Sequence, residues 1–121
     1  FNKYKRRKTM NCLFCKIIKG DIPSTKVYEN DYVYAFLDIE PQAPFHAIIV
    51  PKVHISSADE INAENSIYIA KIFEAVAEIS KNENLKDGYR VVNNCGKDGG
   101  QTVGHIHFHL LARRNLAWPP G

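Results

Sequence analysis

No stretch of these 121 residues approaches the roughly 20 consecutive apolar residues that a bilayer-spanning helix needs. The basic opening does not lead into an apolar core and a small-residue cleavage site, so no secretory pattern is visible. Cysteine is scarce, with only Cys12, Cys15 and Cys95. An odd count without a secretory pattern points to a reducing, cytoplasmic setting and to free or metal-bound thiols rather than a disulfide framework. No internal repeat, low-complexity block or linker interrupts the body. Histidine is scarce as well, yet three of the five fall within five residues, at His105, His107 and His109.

The body lacks a positive excess. The formal net charge is +3, but Lys3, Lys5, Arg6, Arg7 and Lys8 supply five positive charges within residues 1–9, where there is no acid. Everything after them therefore carries a net −2, which argues against a nucleic-acid-binding surface on the body. Residues 1–9 read as a basic, disordered tail, and residues 10–121 as one domain. Met10 directly follows that tail, which reads either as a native extension or as a remnant ahead of the natural start.

Apolar spacing at Leu13, Phe14, Ile17 and Ile18 suits a short helix over Cys12–Lys19, ended by Gly20-Asp21-Ile22-Pro23. Val27–Glu29 and Val33–Leu37 read as strands around the turn Asn30-Asp31, and His46–Val50 as a buried strand closed by Pro51. Asn65–Asn82 is the strong helix, with Ile69, Ile72, Phe73 and Val76 at i, i+3, i+4 and i+7. Tyr89–Asn93 reads as a strand, followed by a Gly-rich loop to Gly104 and a last strand over His105–Leu111. Five short strands, a short N-terminal helix and one long helix predict an α+β fold with an antiparallel sheet.

Alternate side chains of a strand share a face. On that geometry His105, His107 and His109 point one way, while Ile106, Phe108 and Leu110 enter the core. Three readings compete for the histidine face: a solvated surface, a metal site, and catalysis at phosphorus in which the middle imidazole attacks and its neighbours bind phosphate oxygens. A single strand converges three imidazoles poorly on one ion, so a metal would need further ligands. Catalysis at phosphorus needs an oxyanion cradle. Immediately upstream, Asn93-Asn94-Cys95-Gly96-Lys97-Asp98-Gly99-Gly100-Gln101-Thr102-Val103-Gly104 offers closely approachable backbone N–H groups, with Asn94 and Thr102 as side-chain donors. Taken alone, such a loop is more often a plain hairpin connection.

Together these segments resemble the histidine triad family. The pattern is His105-Ile106-His107-Phe108-His109-Leu110-Leu111, with Phe36-Leu37-Asp38-Ile39-Glu40-Pro41-Gln42-Ala43-Pro44, His46, Val50-Pro51-Lys52, Gly88-Tyr89-Arg90-Val91-Val92-Asn93-Asn94 and Asp98-Gly99-Gly100-Gln101-Thr102-Val103. The ending Trp118-Pro119-Pro120-Gly121 resembles the branch of histidine triad nucleotide-binding proteins. The resemblance implies a homodimer whose two sheets join, a purine nucleotide site (AMP or GMP) in each subunit, and hydrolysis of nucleoside 5′-phosphoramidates without a catalytic metal. It implies that His107 is the nucleophile, that His46 and His109 assist at the phosphate, and that His105 lies beside them. Asn94, Gly100, Gln101, Thr102 and Val103 are implied at the phosphate and Asp38 at the ribose hydroxyls. Phe14, Phe36 and Ile39 are implied around the base, and Trp118 at the leaving group across the dimer. Asp38 alternatively caps its own loop.

Cys12-Leu13-Phe14-Cys15 departs from animal members of the branch and resembles bacterial ones. A lone C-x-x-C supplies two zinc ligands where a structural site takes four. The resemblance names His54 and His105 as the completing pair, for a structural rather than catalytic zinc. The alternative is a pair of reduced core cysteines. Two other functions share the same residues: a nucleotide-binding regulatory module with little turnover, and a dinucleoside polyphosphate hydrolase, against which the Trp-Pro-Pro-Gly ending weighs.

Overall fold

The computed structural model describes residues 11–121. The expected basic tail over residues 1–9 lies outside them. Helix α1 (Leu13–Lys19) leads to strands β1 (Lys26–Glu29), β2 (Val33–Leu37) and β3 (Phe45–Pro51), a short 3₁₀ turn at Ala58–Glu60 and helix α2 (Ser66–Asn82). Strand β4 (Tyr89–Val92), a single helical turn α3 (Gly96–Gly99) and strand β5 (Phe108–Ala112) complete the order. The five strands form one sheet, β1-β2-β3-β5-β4, antiparallel at every pairing. Among the described residues no helix is long and apolar enough to cross a membrane.

Strand parity divides the molecule into two layers. On one face Val33 and Ala35 of β2, Phe45, Ala47 and Ile49 of β3, and Phe108, Leu110 and Ala112 of β5 pack with Ile72, Ala75, Val76 and Ile79 of α2. On the other, Phe36, Ile48 and Val50 pack with Cys12, Phe14 and Ile17 of the α1 segment. The buried stripe of α2 starts one turn later than the periodicity suggests: Ala75 is fully buried, whereas Phe73 is half exposed and lies edge-on against Phe108. The Asn30 carboxamide makes the β1–β2 turn, accepting from the Tyr32 and Val33 N–H groups at 2.8 and 3.0 Å.

Two local expectations need correction. The last strand does not run over His105–Leu111 but over Phe108–Ala112. The His105–His107 segment leaves the ladder because its polar groups find other partners, the Ile106 N–H bonding to the Ile55 carbonyl and the His105 ring to the Pro51 carbonyl. Within the Gly-rich loop, Gly96–Gly99 closes a helical turn, capped by Gly100 at φ +79°, a conformation that favours glycine.

Candidate active site

Parity places His46 and His109 on the α1 side of the sheet. His46 alternates with Ala47 on β3, and His109 stands directly opposite Ile48 across the β3–β5 ladder. Between that face and α1 lies a cavity of about 690 Å³. Phe14, Ile17, Phe36 and Ile48 form its apolar wall. Asp38, Ile39, Thr102, Val103, His107 and His109 also line it. An apolar slot with a few convergent polar groups is the usual form of a small-molecule site. The Phe14 ring also lies 4.9 Å, edge-on, from the His107 ring.

The hydrogen bonds fix the direction of the His107, His46 and His109 imidazoles. His107 Nδ1 lies 2.8 Å from the His105 carbonyl oxygen. A carbonyl only accepts, so Nδ1 carries the proton and Nε2 keeps its lone pair. The Gln42 backbone N–H donates to His46 Nδ1 at 3.0 Å, so the His46 proton sits on Nε2. That N–H reaches His109 Nδ1 at 2.8 Å, with the Asp38 carboxylate 3.4 Å away. His109 accepts at Nδ1 and therefore carries its own proton on Nε2. The result is a one-way chain, Gln42 to His46 to His109, beside a nucleophilic nitrogen on His107.

Burial keeps these rings neutral. It lowers the pKa of His107, opposed by the His105 carbonyl and Asp38, and that of His46, opposed by Asp38. It lowers His109 to about 4, helped by the neighbouring His107 and His46 rings. One consequence concerns stability. The unfolded chain takes up a proton near pH 6.5 that folded His109 refuses until about pH 4. Stability should therefore fall as pH drops through that window, by on the order of 2–3 kcal/mol for this ring. Urea melts at pH 7 and pH 4.5 check it: the wild type should lose more stability between them than His109→Gln, and equal losses would refute it.

A second cluster stands apart from the cavity lining. The ligand atoms of Cys12, Cys15, His54 and His105 all lie within 4.8 Å of one another. His105, fully buried, bonds through Nε2 to the Pro51 carbonyl at 3.0 Å, so its Nδ1 lone pair faces the sulfurs of Cys12 and Cys15 at 3.3 and 3.5 Å. His54 Nδ1 lies 3.4 Å from the Cys15 sulfur. Burial, reinforced by Cys12, pushes the Cys15 thiol up to about 12. Two thiols and two imidazoles, one of them aimed by an N–H···O=C bond on its far side, match the donor set and outer-shell support of a tetrahedral zinc site.

The structure thus separates the three histidines that strand alternation put on one face. His107 and His109 line the cavity, whereas His105 sits in the cysteine cluster and is not among the lining residues. Phe14, Phe36, Asp38, Ile39, Thr102 and Val103 all line the cavity. Asn94, Gly100 and Gln101 do not. The Gln101 carboxamide instead staples the loop, donating to the Ser56 and Val103 carbonyls at 2.8 and 3.0 Å and accepting from Gly96 N–H at 3.0 Å. Trp118 is largely exposed and lines a separate hollow with Arg90, whose guanidinium holds the Leu116 and Ala117 carbonyls. Two residues escaped the sequence reading as individuals. Gln42 acts through its backbone, which no residue type signals. Asn93 donates from Nδ2 to the His107 carbonyl at 2.9 Å, and only its place at the strand end could have hinted at it.

The HIT domain family matches residues 19–116. A purine nucleoside phosphoramidase of Escherichia coli K12 is 43% identical over 105 residues, covering 86% of this chain and 88% of that protein. A 14 kDa zinc-binding protein of Zea mays is 50% identical over 114 residues, covering 90% of this chain and 87% of its own. The crystal structure of a HIT family hydrolase from Legionella pneumophila superposes with a TM-score of 0.89 at 47% identity, covering 92% of this chain and all of that one. With the family matched over most of its length and relatives this similar, the chain belongs to the HIT, or histidine triad, family.

Proposed function

We propose that the protein hydrolyses purine nucleoside 5′-phosphoramidates through a nucleotidyl intermediate on His107. The observation that carries this reading is the hydrogen bond from His107 Nδ1 to the His105 carbonyl, which leaves Nε2 as a neutral nucleophile on a ring lining the cavity. Nε2 attacks phosphorus and the P–N bond to the amine breaks. The Nε2–H of His109 hydrogen-bonds the leaving nitrogen, which takes its proton from water and departs as the amine. The positive charge that develops on His107 is steadied by the same His105 carbonyl. Water then cleaves the P–Nε2 bond, giving its proton to solvent and releasing the nucleoside monophosphate. The phosphate oxygens lie toward Thr102 and Val103, since the Gly100 and Gln101 N–H groups are spent on the Lys97 and Gly96 carbonyls within the loop's own turn, and the purine lies between Phe14, Phe36 and Ile39. The similarity to the E. coli phosphoramidase supports this substrate class. Steady-state assays with adenosine and guanosine phosphoramidates beside a diadenosine polyphosphate test it. Turnover of the phosphoramidates should dominate, and preferential cleavage of the polyphosphate, or no turnover of any, would overturn it.

Asp38 is assigned to the ribose hydroxyls. One of its oxygens already accepts from the Glu40 N–H at 2.8 Å, so it also caps its loop. Asp38→Ala is expected to weaken AMP by about 1.5–3 kcal/mol per lost charged hydrogen bond while leaving inorganic phosphate binding nearly unchanged. Calorimetric titration of both ligands checks this. Equal AMP affinity, or equal weakening of both, would leave Asp38 a loop cap only.

Cys12, Cys15, His54 and His105 are proposed to hold one zinc ion. Bound there, zinc would supply a structural clamp between the α1 segment and the approach to β5. The chain is further proposed to pair as a homodimer, a reading supported by β4 standing at the sheet edge with Tyr89 exposed. Trp118 would then act at the partner's site.

A further inference from the structure

The histidine segment is unusual in what holds its backbone. Strand β5 lies between β3 and β4, but its pairing begins only at Phe108 on the β3 side, opposite Ile49, and at His109 on the β4 side, opposite Val92. His107 precedes both ladders, and at 4% exposure it is buried. A buried carbonyl outside a ladder needs a substitute donor. Nδ2 of Asn93, the first residue beyond β4, donates to the His107 carbonyl at 2.9 Å. From the other direction the His107 ring turns back to the carbonyl of His105, two residues earlier. The nucleophile is therefore gripped twice, once by its carbonyl and once by its ring, and the ring grip depends on the backbone lying where the carbonyl grip puts it.

We propose that Asn93 is a positioning residue for the reaction: its carboxamide replaces the missing ladder bond at His107 and so holds the imidazole with Nδ1 on the His105 carbonyl and Nε2 toward phosphorus. Asn93 also opens the Gly-rich loop that ends at Thr102 and Val103, so the same side chain ties the loop's base to the nucleophile. Without the amide, the His107 peptide is free to rotate and the ring exchanges between its two tautomers. Binding of the nucleotide, made mainly by the cavity wall, is left in place. A misplacement of about 1 Å at a nucleophile costs on the order of 10²-fold in rate.

This inference rests on His107 being the nucleophile, and the test separates the two. Asn93→Asp keeps the shape but removes the donor, and Asn93→Leu repeats the loss without a charge should the first variant fail to fold. For each folded variant, kcat and KM are measured with adenosine phosphoramidate. The His107 tautomer is read from ¹⁵N shifts of the ring nitrogens, a readout independent of turnover. The expected result is a kcat lower by about 10- to 100-fold, a KM within about threefold, and loss of the single Nδ1–H tautomer of the wild type. A kcat within twofold of wild type, or a ring still locked in the wild-type tautomer, would overturn the proposal. Failure of the nucleophile assignment would show separately, as retained turnover in a His107 variant.

Discussion

His107→Gly is expected to lose turnover of adenosine phosphoramidate by on the order of 10⁴-fold or more while still binding AMP within a fewfold of the wild type. An absent nucleophile is not replaced by positioning, because the remaining rings point elsewhere. His46 is 4% exposed and spends its Nε2–H on His109, and His109 presents a proton rather than a lone pair to the cavity. His105 lies among the cysteines with its nitrogens directed at Pro51 and the sulfurs. Binding should survive because the proposed purine wall of Phe14, Phe36 and Ile39 and the proposed ribose acceptor Asp38 are contributed by α1, β2 and the segment after β2. Glycine suits this test better than a larger residue, since it leaves a space that added imidazole could enter and partly restore turnover. A loss below tenfold would remove His107 from the nucleophile role.

Removal of zinc is expected to have the largest effect on stability. Protein purified without chelator should carry about one zinc per chain. A ligand present at a thousand times its Kd stabilises the folded state by about 4 kcal/mol. At about 4 °C per kcal/mol for a domain of this size, chelation should lower Tm by about 15 °C. The cluster joins residues far apart in sequence: Cys12 and Cys15 at α1, His54 after β3 and His105 before β5. Its loss would loosen the cavity wall that Phe14 carries. Cys15→Ser should reproduce the drop, and chelator should then shift that variant little further. Metal-free protein as isolated, with an unchanged Tm in chelator, would contradict this. So would a zinc whose removal required His107 rather than Cys15 to be altered.

The sequence showed the architecture well because its strands alternate cleanly: β2 and β3 present one set of apolar residues to α2 and another to α1. It misled where a polar side chain competed with the ladder. Alternation extended the last strand back to His105, but the His105 ring finds the Pro51 carbonyl and the two sulfurs, and the backbone follows it out of the sheet. That departure separates a histidine facing two cysteine sulfurs from two cavity histidines, a division invisible in a His-x-His-x-His pattern. The grouping of Cys12, Cys15, His54 and His105 came from the resemblance, not from spacing, and the structure brings all four together. Periodicity likewise gave α2 but placed Phe73 on the buried stripe, where Ala75 lies instead, because a small residue is silent in a hydrophobic count. Backbone donors such as the Gln42 N–H have no sequence signature, and the amide of Asn93 has only its place at the end of β4.

The covalent step is open to direct observation. Wild-type protein mixed with a molar excess of adenosine phosphoramidate and quenched within milliseconds should carry an adenylyl group, and peptide mass spectrometry should place it on His107. His107→Gly under the same conditions should carry none. An adduct on His46 or His109, or full turnover with no adduct at any quench time and with inversion at phosphorus, would contradict the assignment of His107 as the nucleophile.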